Sequence, residues 1–173
     1  MKTGEMDKLC TSCKTISCCT DFMPPFATPK ELELIKEKTG LSDIGENITL
    51  ERRAVHSLKA KPGTQTCMFL STEGKCTIYD HRPFDCKIYP FDIYKIDNEF
   101  TWIVYSCNPE SDWSWSEEIL QRFEKELLNP DIVNFIEAFA NLERFEAPEP
   151  ITYDYKILRK VDFNKYYNSS ETK

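Results

Sequence analysis

The chain has 173 residues, enough for one domain with its own core, and its 22 basic and 29 acidic residues leave a net charge of −7. That balance disfavours non-specific binding to nucleic acid or to an anionic membrane surface. Eight cysteines are too sparse for a disulfide scaffold, and a chain of this size does not need disulfides to fold, so the thiols point to metal chemistry.

The first stretch, residues 1–28, opens on a polar segment with no apolar signal core, and no apolar run approaches the roughly 18 residues of a membrane span. A soluble cytoplasmic protein is therefore expected, in a compartment where thiols stay reduced. Here lie Cys10, Cys13, Cys18 and Cys19. A C-x2-C unit lets two thiolates converge on one metal. The adjacent Cys18-Cys19 differs, because neighbouring side chains ordinarily diverge: either the two serve two metals, or one of them is a spare or exchangeable thiol.

A helix is predicted next, with Thr28 as N-cap, Pro29 at N1, Leu32, Ile35 and Leu41 on one side, and Gly40 ending it. Residues 42–65 are weakly patterned and read as a solvated loop or short helix carrying a basic patch, Arg52, Arg53, Lys59 and Lys61. Residues 66–106 read as β-rich. Cys67-Met68-Phe69-Leu70 and Cys76-Thr77-Ile78-Tyr79 flank Ser71-Thr72-Glu73-Gly74, a hairpin signal. A four-residue or a two-residue loop puts Cys67 and Cys76 on one face, and a three-residue loop would put them on opposite faces. Diagonal neighbours start roughly 7–8 Å apart. Sulfurs sharing one zinc lie roughly 3.8 Å apart at bond lengths of about 2.3 Å. The hairpin therefore tilts toward a polynuclear iron–sulfur centre.

A helical turn is expected around His81-Arg82-Pro83-Phe84-Asp85-Cys86, folding Cys86 back over that site, with Arg82 as a fixed cation beside the thiolates. A second hairpin pairs Phe91–Ile96 with Phe100–Tyr105 through Asp97-Asn98-Glu99, and Cys107 just beyond reads equally as a ligand or as an inert thiol. Residues 111–143 are predicted helical. Ser114 and Glu117 have capping-box spacing, Ile119, Leu120, Phe123 and Leu127 form one stripe, and Asn129-Pro130 starts a second helix with Ile132, Val133, Phe135, Ile136 and Phe139. Pro148-Glu149-Pro150 separates a Tyr-rich tail, 148–173, that reads as a late strand or a docking arm.

The motif Cys67-x-Phe69-Leu70, Gly74-x-Cys76-x-Ile78-Tyr79, Arg82-Pro83-x-x-Cys86-Lys87-x-Tyr89-Pro90 resembles the signature of the CxxCxxCC, or YkgJ-like, cysteine-cluster family. The resemblance spans roughly residues 10–107. At its front the family has two residues before the double cysteine where this chain has four, Lys14-Thr15-Ile16-Ser17. It implies a zinc- or iron-chelating domain, which also occurs in a longer flagellin lysine N-methylase associated with an iron–sulfur cluster. Glycines too scattered for a nucleotide loop, and the lack of a C-x3-C-x2-C run, weigh against an autonomous enzyme.

The sequence thus sets these expectations. The fold is α+β, a small hairpin-containing cysteine core with several helices, in one domain over 1–147 followed by the tail. The ligands are Cys10, Cys13, Cys18, Cys19, Cys67, Cys76 and Cys86, with Arg82 against the cofactor. The cofactor is an iron–sulfur cluster, [4Fe–4S] first, with Zn2+ as the alternative. The role is redox, oxygen-sensing or accessory, docked on a larger protein partner; a structural zinc module and a metal storage or delivery protein are the alternatives.

Overall fold

A computed structural model describes residues 17–20, 25–50, 53–105, 113–140 and 155–167. The fold is α+β: six α-helices among the described residues, a two-stranded sheet and a three-stranded sheet. The chain divides into two units. One comprises the described residues of Met1–Thr49 and Ala54–Pro83, the other those of Leu50–Arg53 and Phe84–Lys173. The division falls at Pro83/Phe84, so the second hairpin groups with the C-terminal helices and not with the cysteine hairpin.

In the first unit, α1 is the single turn Ser17–Thr20 and α2 runs Pro29–Thr39. The caps of α2 are those expected. Thr28 Oγ1 accepts the Glu31 N–H while the Glu31 carboxylate accepts the Thr28 N–H, and Gly40 takes the left-handed φ of 71°. Leu32 and Ile35 are buried, but Leu41 is exposed, because the chain has already turned away at Gly40.

Residues 42–65 depart from expectation. β1 (Gly45–Leu50) and β2 (Arg53–Leu58) form the two-stranded sheet. Ser57 and Leu58 are both buried in succession, so the alternation that marks a strand is obscured. The Ser57 hydroxyl is satisfied by the carbonyls of Pro25 and Leu58. Of the basic patch, Lys59 pairs with Asp43 and Lys61 Nζ donates to the Leu70 carbonyl at 2.6 Å. Leu32, Ile35, Ile44 and Leu58 then share one core with Cys67, Phe69, Leu70 and Ile78.

The second unit is built on β3 (Phe91–Ile96), β4 (Glu99–Tyr105) and β5 (Tyr155–Lys160), antiparallel in that order. The β3–β4 turn uses two residues, Asp97 and Asn98, both at positive φ, the mirror-image turn that matches strand twist. β5 is the late strand. It pairs with β4, and Val161 and Phe163 after it are buried.

Helix α3 spans Phe84–Ile88, α4 Ser116–Glu126, α5 Pro130–Ala140 and α6 Asn164–Tyr167. The expected Ser114/Glu117 capping box does not form. Trp115 is the N-cap without a side-chain cap, because Trp113 sits at a φ of 61° and its carbonyl takes the Ser116 N–H. Asn129 does cap α5, its Oδ1 accepting from Asp131 and Ile132. Phe91 lies edge-on to Trp113, Trp115 and Phe123, and Trp102 is fully buried beside Phe123.

Asp92 and Tyr94 are cross-strand partners of Ile103 and Thr101. Tyr105 Oη donates to Asp92 Oδ2 at 2.7 Å and lies 3.2 Å from Tyr94 Oη, and Tyr94 stacks on Tyr155. Burial pushes the Asp92 carboxyl from 3.8 up to about 6, against the opposing pull of the Tyr105 hydroxyl and the Ile93 N–H. The folded state holds this proton more tightly than the unfolded chain. Its contribution to stability is therefore full below about pH 4 and is lost as pH rises through about 6. Across that range, Asp92→Asn is expected to flatten the pH dependence seen in urea unfolding, and it should stabilise the protein most at neutral pH. An unchanged slope would place the dependence in other groups.

Candidate metal centre

The cysteine hairpin is tighter than a pair of strands. Leu70 bridges Cys76, Ser71 N–H bonds the Lys75 carbonyl at 2.8 Å, and Thr72-Glu73-Gly74 make a three-residue loop closed by Gly74 at a φ of 74°. An even loop was the basis for placing Cys67 and Cys76 on one face, so that reasoning fails. Cys76 nonetheless packs against the core that contains Cys67, because neither stands on a regular strand. The Leu70 N–H returns to the Cys67 carbonyl at 3.1 Å and the His81 N–H to the Ile78 carbonyl at 2.8 Å, so each cysteine sits at or beside a turn and strand alternation does not apply.

These turns aim backbone donors at sulfur. The nearby N–H groups of Phe69 and, to a smaller extent, Leu70 pull the Cys67 thiol down, and that of Ile78 pulls Cys76 down. Burial still pushes the Cys67 thiol up, and the neighbouring Cys19 and Cys76 add to it, with the two N–H groups opposing. Cys76 is also raised by burial and by Cys19, and is pulled back by the Ile78 N–H and by Arg82. A cation arriving among these sulfurs relieves the burial cost of the thiolates, and the N–H groups are already in place to stabilise them.

Cys19 reaches the hairpin through the backbone. Its carbonyl accepts the Cys67 N–H at 2.8 Å, and its side chain packs with Met68 and Cys76 against the core. Cys18 is exposed, with its Sγ 3.9 Å from Cys19 Sγ. The two sulfurs lie this close although i and i+1 side chains on a helical turn such as α1 do not face each other. Their separation is that of two thiolates on one tetrahedral ion.

Arg82 is held rather than free to swing. Its Nε donates to the Tyr79 carbonyl at 2.9 Å, and its guanidinium lies 3.7 Å from the Tyr79 ring centre. The 3-10 turn Tyr79–His81 supplies both anchors. His81 is half-buried in that turn.

The structure thus packs Cys19 and Cys76 against the core that contains Cys67, with the exposed Cys18 beside Cys19 and Arg82 acting on Cys76. Cys86 stands half-buried in the middle of α3 and belongs to the second unit. Cys10, Cys13 and Cys107 lie outside the described residues. Among the described residues, no cysteine is in a disulfide, and no three His, Cys, Asp or Glu side chains close on a single ion. The donor chemistry fits a thiophilic metal: clustered thiols, N–H groups directed at sulfur and one fixed cation offsetting anionic charge.

Sequence reasoning missed the N–H donors of Phe69, Leu70 and Ile78 and the Tyr79 platform, since backbone direction is not written in side-chain identity. The one available signal was the repeated pattern of a cysteine followed by apolar residues, Cys67-Met68-Phe69-Leu70 and Cys76-Thr77-Ile78-Tyr79. Among the described residues, no helix is long and apolar enough to cross a membrane.

Residues 9–108 match the model of a family described as a "putative zinc- or iron-chelating domain". No curated protein and no solved structure matches the chain.

Proposed function

Because the chain belongs to the CxxCxxCC family, a zinc- or iron-chelating domain, we propose that it is an iron–sulfur protein, with a [4Fe–4S] cluster bound by its cysteine thiolates. It serves a redox, oxygen-sensing or accessory role docked on a larger protein. The observation that carries this reading is the packing of Cys19 and Cys76 against the core that holds Cys67, with the Cys67 N–H bonded to the Cys19 carbonyl at 2.8 Å. Hydrogen bonds to cluster-ligating sulfur are one of the levers by which a protein sets the potential of an iron–sulfur centre. A cluster with several irons also takes thiolates farther apart than the roughly 3.8 Å of a one-ion tetrahedron. Cys19, Cys67 and Cys76 share one core. Arg82, fixed on Tyr79, offsets the negative charge of the site at Cys76.

Bound zinc is the second reading, and one distance favours it: the 3.9 Å between Cys18 and Cys19 sulfurs. Anaerobic purification separates the two. The cluster reading expects a brown protein with iron and acid-labile sulfide in near-equal amounts and a visible charge-transfer absorption. A colourless protein with stoichiometric zinc and no labile sulfide would overturn it in favour of the zinc domain.

A further inference from the structure

One face of the β3–β4–β5 sheet carries tyrosines on all three strands. Tyr94 on β3 stands opposite Thr101 of β4, and Tyr155 on β5 stands opposite Tyr105 of β4. The two outer strands thereby bring their rings together across the central one. Tyr94 and Tyr155 are stacked, 14° from parallel with ring centroids 6.4 Å apart, and both are exposed, at 48% and 52%. Tyr105 commits its one hydroxyl proton to Asp92 Oδ2 at 2.7 Å, so across the 3.2 Å contact the Tyr94 hydroxyl donates to Tyr105 Oη. That chain holds the Tyr94 ring over β4 and gives its proton a route to a carboxylate. Two further tyrosines are placed differently. Tyr89 stacks on Tyr105 at 6.1 Å, but both are half-buried. Tyr79 is as exposed as the pair, but the Arg82 guanidinium lies over its ring, a cation that opposes loss of an electron from it.

We propose that Tyr94 and Tyr155 form an oxidative cross-linking site, where a one-electron oxidant driven by hydrogen peroxide couples them into a dityrosine that locks β5 to β3. Each phenol loses one electron to the oxidant and its hydroxyl proton, Tyr94's along the hydrogen bonds to Asp92 and then to water, Tyr155's directly to water. The two phenoxyl radicals join through ring carbons ortho to oxygen. One carbon–carbon bond forms, and the ring hydrogens at those carbons are replaced on the oxygens as the rings regain aromaticity. Overall, two phenols and one hydrogen peroxide give one dityrosine and two waters. Exposure admits the oxidant to both rings. Their stacking makes the coupling intramolecular, at a far higher effective concentration than an encounter between two chains. The site needs no metal at the cysteines and stands independently of the reading above.

The test exposes the full chain to a haem peroxidase and hydrogen peroxide, with peroxide in excess over the eight thiols, at several protein concentrations. The monomer should gain dityrosine fluorescence in a yield independent of protein concentration, and peptide mapping should join Tyr94 to Tyr155. Tyr94→Phe and Tyr155→Phe should each lose the fluorescent monomer. Phenylalanine keeps the ring and removes only the hydroxyl, and far-ultraviolet circular dichroism checks that each variant is folded. The cross-linked monomer should also unfold at a higher urea concentration than Tyr94→Phe treated identically and compared with its own untreated form, because the link restricts the unfolded chain. Dityrosine found only in linked dimers, mapped to Tyr89 and Tyr105, or undiminished in Tyr94→Phe would overturn the site. A mapped link that leaves the urea midpoint unmoved would overturn the lock.

Discussion

Cys76→Ser is expected to empty the metal centre. A serine hydroxyl stays protonated near neutral pH and is a poor ligand for a thiophilic ion, so the loss is of a donor and not merely of packing volume. The substitution also strands the Ile78 N–H that was directed at sulfur and leaves the Arg82 charge without its thiolate. Metal and labile-sulfide analysis of the purified variant should show occupancy below about a tenth of native, in line with metal-shell losses of roughly 10–100-fold in affinity. Arg82→Gln provides the graded comparison. It keeps every thiol and removes the fixed charge, so metal should be retained but released more readily to a chelator. Native occupancy in Cys76→Ser would remove this cysteine from the ligand set.

The second large effect lies away from the cysteines. Trp102 is fully buried on β4, with its ring against Phe123 and its Nε1 donating to Glu124 Oε1 at 2.8 Å. Glu124 also receives Arg159 Nη1 at 2.8 Å, and Arg159 Nε reaches Glu117 at 2.8 Å, so the indole joins β4, α4 and β5 in one polar network at the edge of an apolar core. Trp102→Ala is expected to cost about 3–5 kcal/mol, from lost burial and the cavity left behind. Trp102→Phe keeps most of the volume and removes only the donor, while Glu124 retains Arg159, so its cost should be about 1 kcal/mol. Urea unfolding midpoints measure both. Equal losses in the two variants would mean that the hydrogen bond, and not the packing, dominates.

Legibility followed the range of the interactions. Thr28, Pro29, Glu31 and Gly40 specify α2 through bonds that span four residues or fewer, and the structure reproduces both caps. Asn129-Pro130 marks α5 in the same way. The β3–β4 pairing was readable because its alternating pattern and its Asp97-Asn98 turn are adjacent in the chain. The β1–β2 sheet was not. Its buried Ser57 looks polar, and it is satisfied by the Pro25 carbonyl, which lies far away in sequence. Ser114 and Glu117 have the spacing of a capping box, but the left-handed Trp113 starts the helix later.

For the cysteines, the sequence by itself determined the chemistry: thiols too numerous for chance and too few for a disulfide scaffold, in a pattern specific enough to place the family. Only the tertiary structure decided which of them meet. The Cys67 N–H bond to the Cys19 carbonyl, the three-residue loop, and the turns that direct Phe69, Leu70 and Ile78 at sulfur all depend on where distant backbone segments come to rest. Backbone N–H groups are identical at every residue, so no side-chain pattern records where they point. The separation of Cys18 and Cys19 into an exposed and a core-packed thiol has the same origin, since burial is conferred by what packs against a residue and not by the residue itself.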